Sequence, residues 1–420
     1  MQTMTSKGTA PTSAALGSAV PTSTVLDNAV LNSAVLNPAG LGTTGVEVLG
    51  THAAHLAALA SAAEDHEDRA LSENTRRAYT HDWAQWVAWC SMFGAEPLPA
   101  DPEMVRLYVT ELASVQDQHG LPRFRAVTIG RAVSAISHFN AAAGFEGRLG
   151  HHPRVAPVLR GIRRLRQEPS QPKEALLLND VCRLIAAMDH DLWPAGVGAA
   201  RDTLALWLGF AGALRRSNVA ALKVGDIRLD PHDGLHVRLQ RSKTDQEGAG
   251  AVVAIPYGTN PLTCAPCAWM RWMQVHAQTS GARSARMGLV LRTGQPNDWT
   301  HVCRGPQPVI GKPDGSDPQV IDPERPLLVP VDRHGDITVR VLDGAALNAA
   351  LGRRLSAAGY DQGRYGFHSL RAGFVTQARR NGASTRDVRR QTKHASDAMI
   401  DVYDRDRLPL RDNAVTMLGL

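Results

Sequence analysis

The chain has 420 residues, 43% of them hydrophobic and 20% charged, which is enough polypeptide for two or three domains with sizeable cores. It carries no run of 18 apolar residues and no basic-then-apolar leader, so neither a membrane-spanning helix nor a signal peptide is expected. The net charge of +6 tilts the partner prior toward nucleic acid, and five cysteines form too sparse and odd a set for a disulfide framework, so a reducing compartment is expected.

Residues 1–64 are rich in Ala, Ser, Thr, Gly, Val and Leu, nearly uncharged and without aromatics, with AVLN repeated at 29–32 and 34–37. That composition predicts a low-complexity, disordered tail. Residues 65–168 read as a helical bundle. Ser72 is the expected N-cap of its first helix, with Tyr79, Trp83, Trp86 and Cys90 on one face. The trio Trp83, Trp86 and Trp89 is expected to be core plus one exposed ring. Asp101 caps a second helix, Pro102 opens it, and Val105, Tyr108, Val109 and Leu112 form its stripe. Ile129, Val133 and Ile136 mark a third helix, and Val155, Leu159 and Ile162 a fourth. The fourth bears Arg160, Arg163, Arg164 and Arg166, a candidate phosphate-contacting strip, and the prolines at 169 and 172 mark a linker over 169–174.

Residues 175–420 form a larger α/β unit. Its helices begin with Asn179 as expected cap and continue through "ARDTLALWLGFAGALRRSNVAAL". Leu235, Val237 and Leu239 alternate with polar residues, as do Ala251, Val253 and Ile255 after "KTDQEGAG", which predicts a hairpin with a Gly-rich tip. Within "LTCAPCAW", Cys264 and Cys267 form a CxxC with no second CxxC to complete a metal site, so they read as core or turn cysteines. The Gly/Pro-rich stretch 279–340 reads as a surface insertion carrying short strands at "PLLVPVD" and "ITVRVL". Helices resume near 343.

Four motifs carry chemistry. "ALRRSNVAALKVGDI" presents Arg215 at a helix junction. Lys243 sits beside the hairpin tip. "FHSLRAGF" sets His368 and Arg371 three residues apart on one helix face. "KHASDAMIDVYDR" places Tyr403 nine residues after His394. Each is weak alone: His151–Arg154 and His301–Arg304 also match HxxR, without the other partners around them. The order Arg, hairpin Lys, HxxR, His and Tyr is far more specific. In this order and spacing the chain resembles the tyrosine recombinases, the phage-integrase family, over about residues 70–420. It departs from the family pattern at Asn218, where a supporting glutamate is usual, and at Lys393, where glycine is common. Asp226 matches the acidic residue often found just before the first strand.

The resemblance implies a mainly helical α+β fold with a small sheet. An N-terminal core-binding bundle and a catalytic domain would together form a C-shaped clamp on double-stranded DNA. It implies a homotetramer in a synaptic complex, leaves open accessory DNA-bending or directionality proteins, and fits a cytoplasmic, nucleoid-associated location. The site would be Tyr403, Arg215, Lys243, His368, Arg371 and His394, with no cofactor and no metal. Two guanidiniums suit the charge that builds on phosphoryl oxygens, and a histidine near its ordinary pKa suits the proton of a phenol. A topoisomerase-like relaxing enzyme and a non-catalytic DNA-binding protein on the same fold are the alternatives.

Overall fold

The computed structural model describes residues 55–59, 61–62, 71–145, 148–166, 173–239, 250–278, 283–312 and 320–393. The chain divides into two compact units, Met1–Pro169 and Ser170–Leu420. Among the described residues, no helix is long and apolar enough to cross a membrane.

In the first unit, α1 (Glu73–Met92) starts where Ser72 Oγ accepts the Thr75 amide at 3.3 Å. Its buried arc is Asp82, Trp86, Trp89 and Cys90. The expected face is therefore rotated: Trp86 and Cys90 lie in the core, while Tyr79 and Trp83 lie half-buried at its margin. Two indoles decide the rotation. Trp89 Nε1 donates to Glu111 at 2.7 Å, Trp86 Nε1 donates to the Pro97 carbonyl at 3.1 Å, and both rings pack on Tyr108 with centroids 5.2 Å away. No ring of the trio is exposed; Trp83 stacks on Phe139 at 4.7 Å. Asp82 enters the core because Arg131 of α3 (Ala126–Ala142) grips both its oxygens, at 2.8 and 3.0 Å.

Helix α2 (Pro102–Ser114) has the expected Asp101 cap and proline start. In α4 (Ala156–Arg166) the expected basic strip divides. Arg160, Arg163 and Arg164 are exposed, whereas Arg166 is half-buried, donating to the Ala113 carbonyl at 2.6 Å and to the Phe124 carbonyl. Arg166 thus staples helix ends within the bundle.

In the second unit, α5 (Leu178–Ala186) begins one residue before Asn179, because Asp180 reaches back to accept the Leu177 amide at 2.8 Å. The expected cap was misplaced: the acid at the third helical position, rather than Asn179, satisfies the first amide. Helix α6 (Ala195–Phe210) is buried on nearly every side and forms the centre of the unit. A turn leads to α7 (Arg216–Ala221). Next comes an antiparallel sheet in the order β1 (Ile227–Asp230), β2 (Gly234–Leu239), β3 (Ala251–Ile255). The register pairs Leu235 with Ile255 and Val237 with Val253, so the alternation buries the expected face. Helix α8 (Ala265–Ala277) packs Trp269, Met270, Trp272 and Met273 into the core.

Within 279–340 the described residues are only partly on the surface. The stretch contains α9 (Arg283–Leu291), and Leu327, Leu328 and Val329 are at most 1% exposed. Gly and Pro announce irregular backbone, not exposure. The buried carbonyls find side-chain donors instead: Trp272 Nε1 donates to Leu327 O at 2.7 Å, His276 Nε2 to Pro326 O at 3.1 Å, and Arg201 to Val329 O at 3.2 Å. The two short strands expected there appear only as isolated bridges, Lys223 with Pro326 and Val331 with Ile337. Helices α10 (Gly344–Ala357), α11 (His368–Arg380) and α12 (Thr385–Thr392) complete the described part.

Candidate active site

Helix α11 is set in place by two glycines. A Cβ on Gly373 would sit 1.6 Å from the Leu176 carbonyl oxygen, and one on Gly209 of α6 would sit 2.6 Å from Leu370 Cδ1. Without side chains at those two points, α11 lies directly on the 173–177 segment and on α6. That seat puts Arg371 inside the protein, 2% exposed.

Arg371 is the centre of the described site. Its guanidinium donates to the Ala213 carbonyl and, at 2.6 Å, to the Thr392 carbonyl. Ala213 lies two residues before Arg215, and Thr392 ends α12 two residues before His394. One buried cation therefore ties together the two segments that carry other residues of the sequence motif. The Thr392 carbonyl belongs to the negative end of a helix, which adds to the attraction. Ala213 and Lys393 have φ of 49° and 54°, and they are the non-glycine residues with positive φ among those described. Both border the carbonyls that Arg371 holds, and left-handed backbone at a residue with a Cβ is held only by its surroundings. A glycine in place of Lys393 would adopt this φ without strain.

Arg215 occupies the N-cap position of α7 and is half-buried, whereas Arg216 is exposed and lies along Gly344. Arg215 is the one of the pair whose charge reaches His368. His368 opens α11 and is exposed at the surface of the unit. Desolvation first, then the positive charges of Arg371 and Arg215, hold its pKa below the ordinary histidine value. At pH 7 the ring is neutral and able to accept a proton. Asn218 lies one turn into α7, with Ser217 Oγ 3.5 Å from its side-chain oxygen. Asp226 directly precedes β1, is 4% exposed and accepts the Lys223 amide at 2.9 Å.

The structure therefore brings Arg215, His368 and Arg371 together; Lys243, His394 and Tyr403 lie outside the described residues, as does Ser396, read as the N-cap of a last helix. Gly382, expected after α11, has φ of 90° as a C′ residue should. In the basic segment that follows, Arg380, Arg386, Arg389 and Arg390 are exposed, but Arg379 is half-buried and donates to the Ala383 carbonyl at 2.9 Å. One positioning residue escaped the sequence reading. Gln391 Nε2 donates to Ala211 O at 2.9 Å and to Ala254 O at 3.0 Å, joining α12 to the turn after α6 and to β3. A glutamine on a basic helix looks solvent-facing, and only its far-apart partners reveal it.

No family model matches the chain. Among curated proteins it is 27% identical over 355 residues to an integrase/recombinase, the xerD homolog of Selenomonas ruminantium, covering 84% of this chain and 87% of that one. Among solved structures it is similar to the Tn1549 transposon integrase in complex with transposon right end DNA, at 12% identity, 86% and 98% coverage and a TM-score of 0.47. It is also similar to a lambda integrase dimer bound to a COC′ core site, at 14% identity, 82% and 75% coverage and a TM-score of 0.45. The resemblance to the tyrosine recombinases that the C-terminal motifs carry thus extends over most of the chain, through an integrase/recombinase relative.

Proposed function

We propose that the chain is a site-specific DNA recombinase that cuts and rejoins duplex DNA through a 3′-phosphotyrosyl link at Tyr403. The observation that carries this reading is the placement of Arg371, a buried cation bonded to the turn that leads into Arg215 and to the helix end that leads into His394. The likeness to an integrase/recombinase over 355 residues supports it.

In this mechanism the Tyr403 oxygen attacks phosphorus and the bond to the 5′-oxygen breaks. Arg215 and Arg371 hold the equatorial oxygens, where negative charge accumulates, with permanent charge already in place. His368, kept neutral by desolvation and two guanidiniums, takes the phenol proton. Lys243 gives a proton to the leaving 5′-oxygen, and His394 hydrogen-bonds the scissile phosphate. The phosphotyrosyl link keeps the bond energy, so rejoining requires no ATP, and the guanidiniums supply the charge stabilisation that a metal ion gives elsewhere. The exposed arginines of α4 and of the α11–α12 region contact DNA phosphates. The protein works as a homotetramer on paired sites, and the segment after Asp406 docks in a neighbouring protomer.

The test is covalent trapping. Duplex DNA flanking the gene, nicked near candidate inverted repeats, is incubated without metal or ATP and run on denaturing gels. Wild type should give a 3′-linked protein–DNA adduct and Tyr403→Phe none. Salt-sensitive specific binding of that DNA without any adduct would reduce the protein to a silent DNA-binding relative.

A further inference from the structure

Away from the candidate active site, three of the chain's five cysteines meet one histidine. The ligand atoms of Cys264, Cys267, His301 and Cys303 all lie within 4.8 Å of one another. Cys264 Sγ is 3.9 Å from Cys303 Sγ, and His301 Nδ1 is 3.3 Å from Cys267 Sγ and 3.8 Å from Cys303 Sγ. Bonds of about 2.3 Å from zinc to sulfur and about 2.0 Å to nitrogen place tetrahedral ligands roughly 3.5–3.8 Å apart. The observed separations lie around that range.

We propose that Cys264, Cys267, His301 and Cys303 form a structural Cys3His zinc site. It lies outside the recombinase mechanism, and it stands or falls independently of that function.

A plain hydrophobic cluster would account for three buried cysteines, since a free cysteine packs like a small apolar residue. It does not account for the histidine. His301 Nε2 lies 3.3 Å from the Thr259 carbonyl, a contact that needs the proton on that nitrogen. The lone pair on Nδ1 then faces the sulfurs. A metal-bound histidine is usually oriented in this way, by a carbonyl on its far nitrogen. Gly258 has no room for a side chain, because a Cβ there would meet Cys264 Cα at 2.8 Å and its nitrogen at 2.9 Å.

The surroundings suit the charge of the site. Three thiolates, a neutral imidazole and a zinc ion sum to one negative charge. Arg271 stacks on Trp299 with its guanidinium carbon 4.0 Å from the ring centroid and donates to the Thr300 carbonyl at 3.1 Å. Arg304 stacks on Tyr257 at 3.6 Å. These two cations flank the ligand loop. The three cysteines are buried while His301 is exposed, which gives the ion a way in.

The site would act as a clip. It joins the turn after β3 and the start of α8 to residues 301–303. It thereby fixes the irregular stretch that follows α9 against the core. A search for a second CxxC misses it because the other half is the short motif "HVC" at 301–303.

The test is metal analysis of the full chain, purified without chelator and, separately, refolded with excess zinc and desalted. Wild type and the control Cys182→Ser should hold about one zinc per chain. Cys267→Ser should fall to background. Cobalt loading of wild type should give the strong d–d bands of a tetrahedral site together with sulfur-to-cobalt charge transfer, a readout that does not depend on whether the variant folds. Folded wild type that carries no zinc after both preparations would overturn the site. So would octahedral cobalt bands, or a Cys264–Cys303 disulfide in peptide maps of the freshly isolated protein.

Discussion

The two units are built on different terms. The helical bundle packs large aromatic and aliphatic groups contributed by neighbouring helices, and among its described residues only Asp82 and Asn140 are buried polar groups. The second unit buries cations, acids and imidazoles throughout: Arg201, Asp202, His276, Arg286 and Arg371 are all at most 5% exposed. A core of the first kind tolerates change as long as volume is kept. A core of the second kind depends on each polar group keeping a particular partner, because a buried charge that loses its partner costs far more than a lost apolar contact. Where chemistry on a phosphate must be done by fixed cations, the second kind is the suitable scaffold.

The contrast can be broken at its glycines first. Gly373→Ala drives a Cβ into the Leu176 carbonyl and should prevent stable folding of the second unit, a loss exceeding about 4 kcal/mol in denaturant titration. Gly161→Ala, in a helix of the bundle with nothing within 4 Å, should instead stabilise by about 0.5–1 kcal/mol. The next test is the buried ion cluster. Asp202 takes Arg201 at 2.7 and 2.8 Å on one oxygen and Arg354 of α10 at 2.9 Å on the other. Asp202→Ala leaves buried guanidinium charge without its partner and should cost about 3–5 kcal/mol by the same titration.

A third test uses pH. Burial, with the charge of Arg325 beside it, drives the His276 pKa down to about 3. Above about pH 6.5 the ring is neutral in both folded and unfolded chains, and stability is complete. As pH falls below that value the unfolded chain binds a proton that the folded one refuses. Stability should then drop by about 1.4 kcal/mol per pH unit until the folded pKa is reached. His276→Gln keeps a donor for the Pro326 carbonyl and should flatten that slope in acid titrations followed by circular dichroism. The smallest effect is local. Lys393→Gly relieves a φ of 54° and should leave the fold intact while stabilising the α12 end by about 1 kcal/mol, measured by thermal unfolding.

The same contrast explains what could be read from the sequence. Ser72, Asp101 and Pro102 mark helix starts through contacts within four residues, and the β2–β3 alternation fixes a register between neighbouring strands. Arg215, His368 and Arg371 stand out in the sequence because their order along the chain is specific, not because any one position is. Partnerships over long separations were invisible. Trp272 with Leu327, Arg201 with Val329 and Gln391 with Ala254 join residues that no periodicity links. For that reason a Gly/Pro-rich stretch reads as a surface insertion although Leu327–Val329 are buried, and His301 reads as one more HxxR match although it lies among three cysteines.

The most direct test of the central claim is single-turnover cleavage of the nicked duplex by Arg215→Ala, Arg216→Ala and Arg371→Ala beside wild type, with folding of each verified by circular dichroism. Arg215→Ala and Arg371→Ala should lose cleavage by about 100-fold or more, as for removal of a charge that stabilises a transition state. Arg216→Ala should cleave within a few-fold of wild type. Full cleavage by Arg215→Ala, or its loss in Arg216→Ala alone, would contradict the assignment of the site.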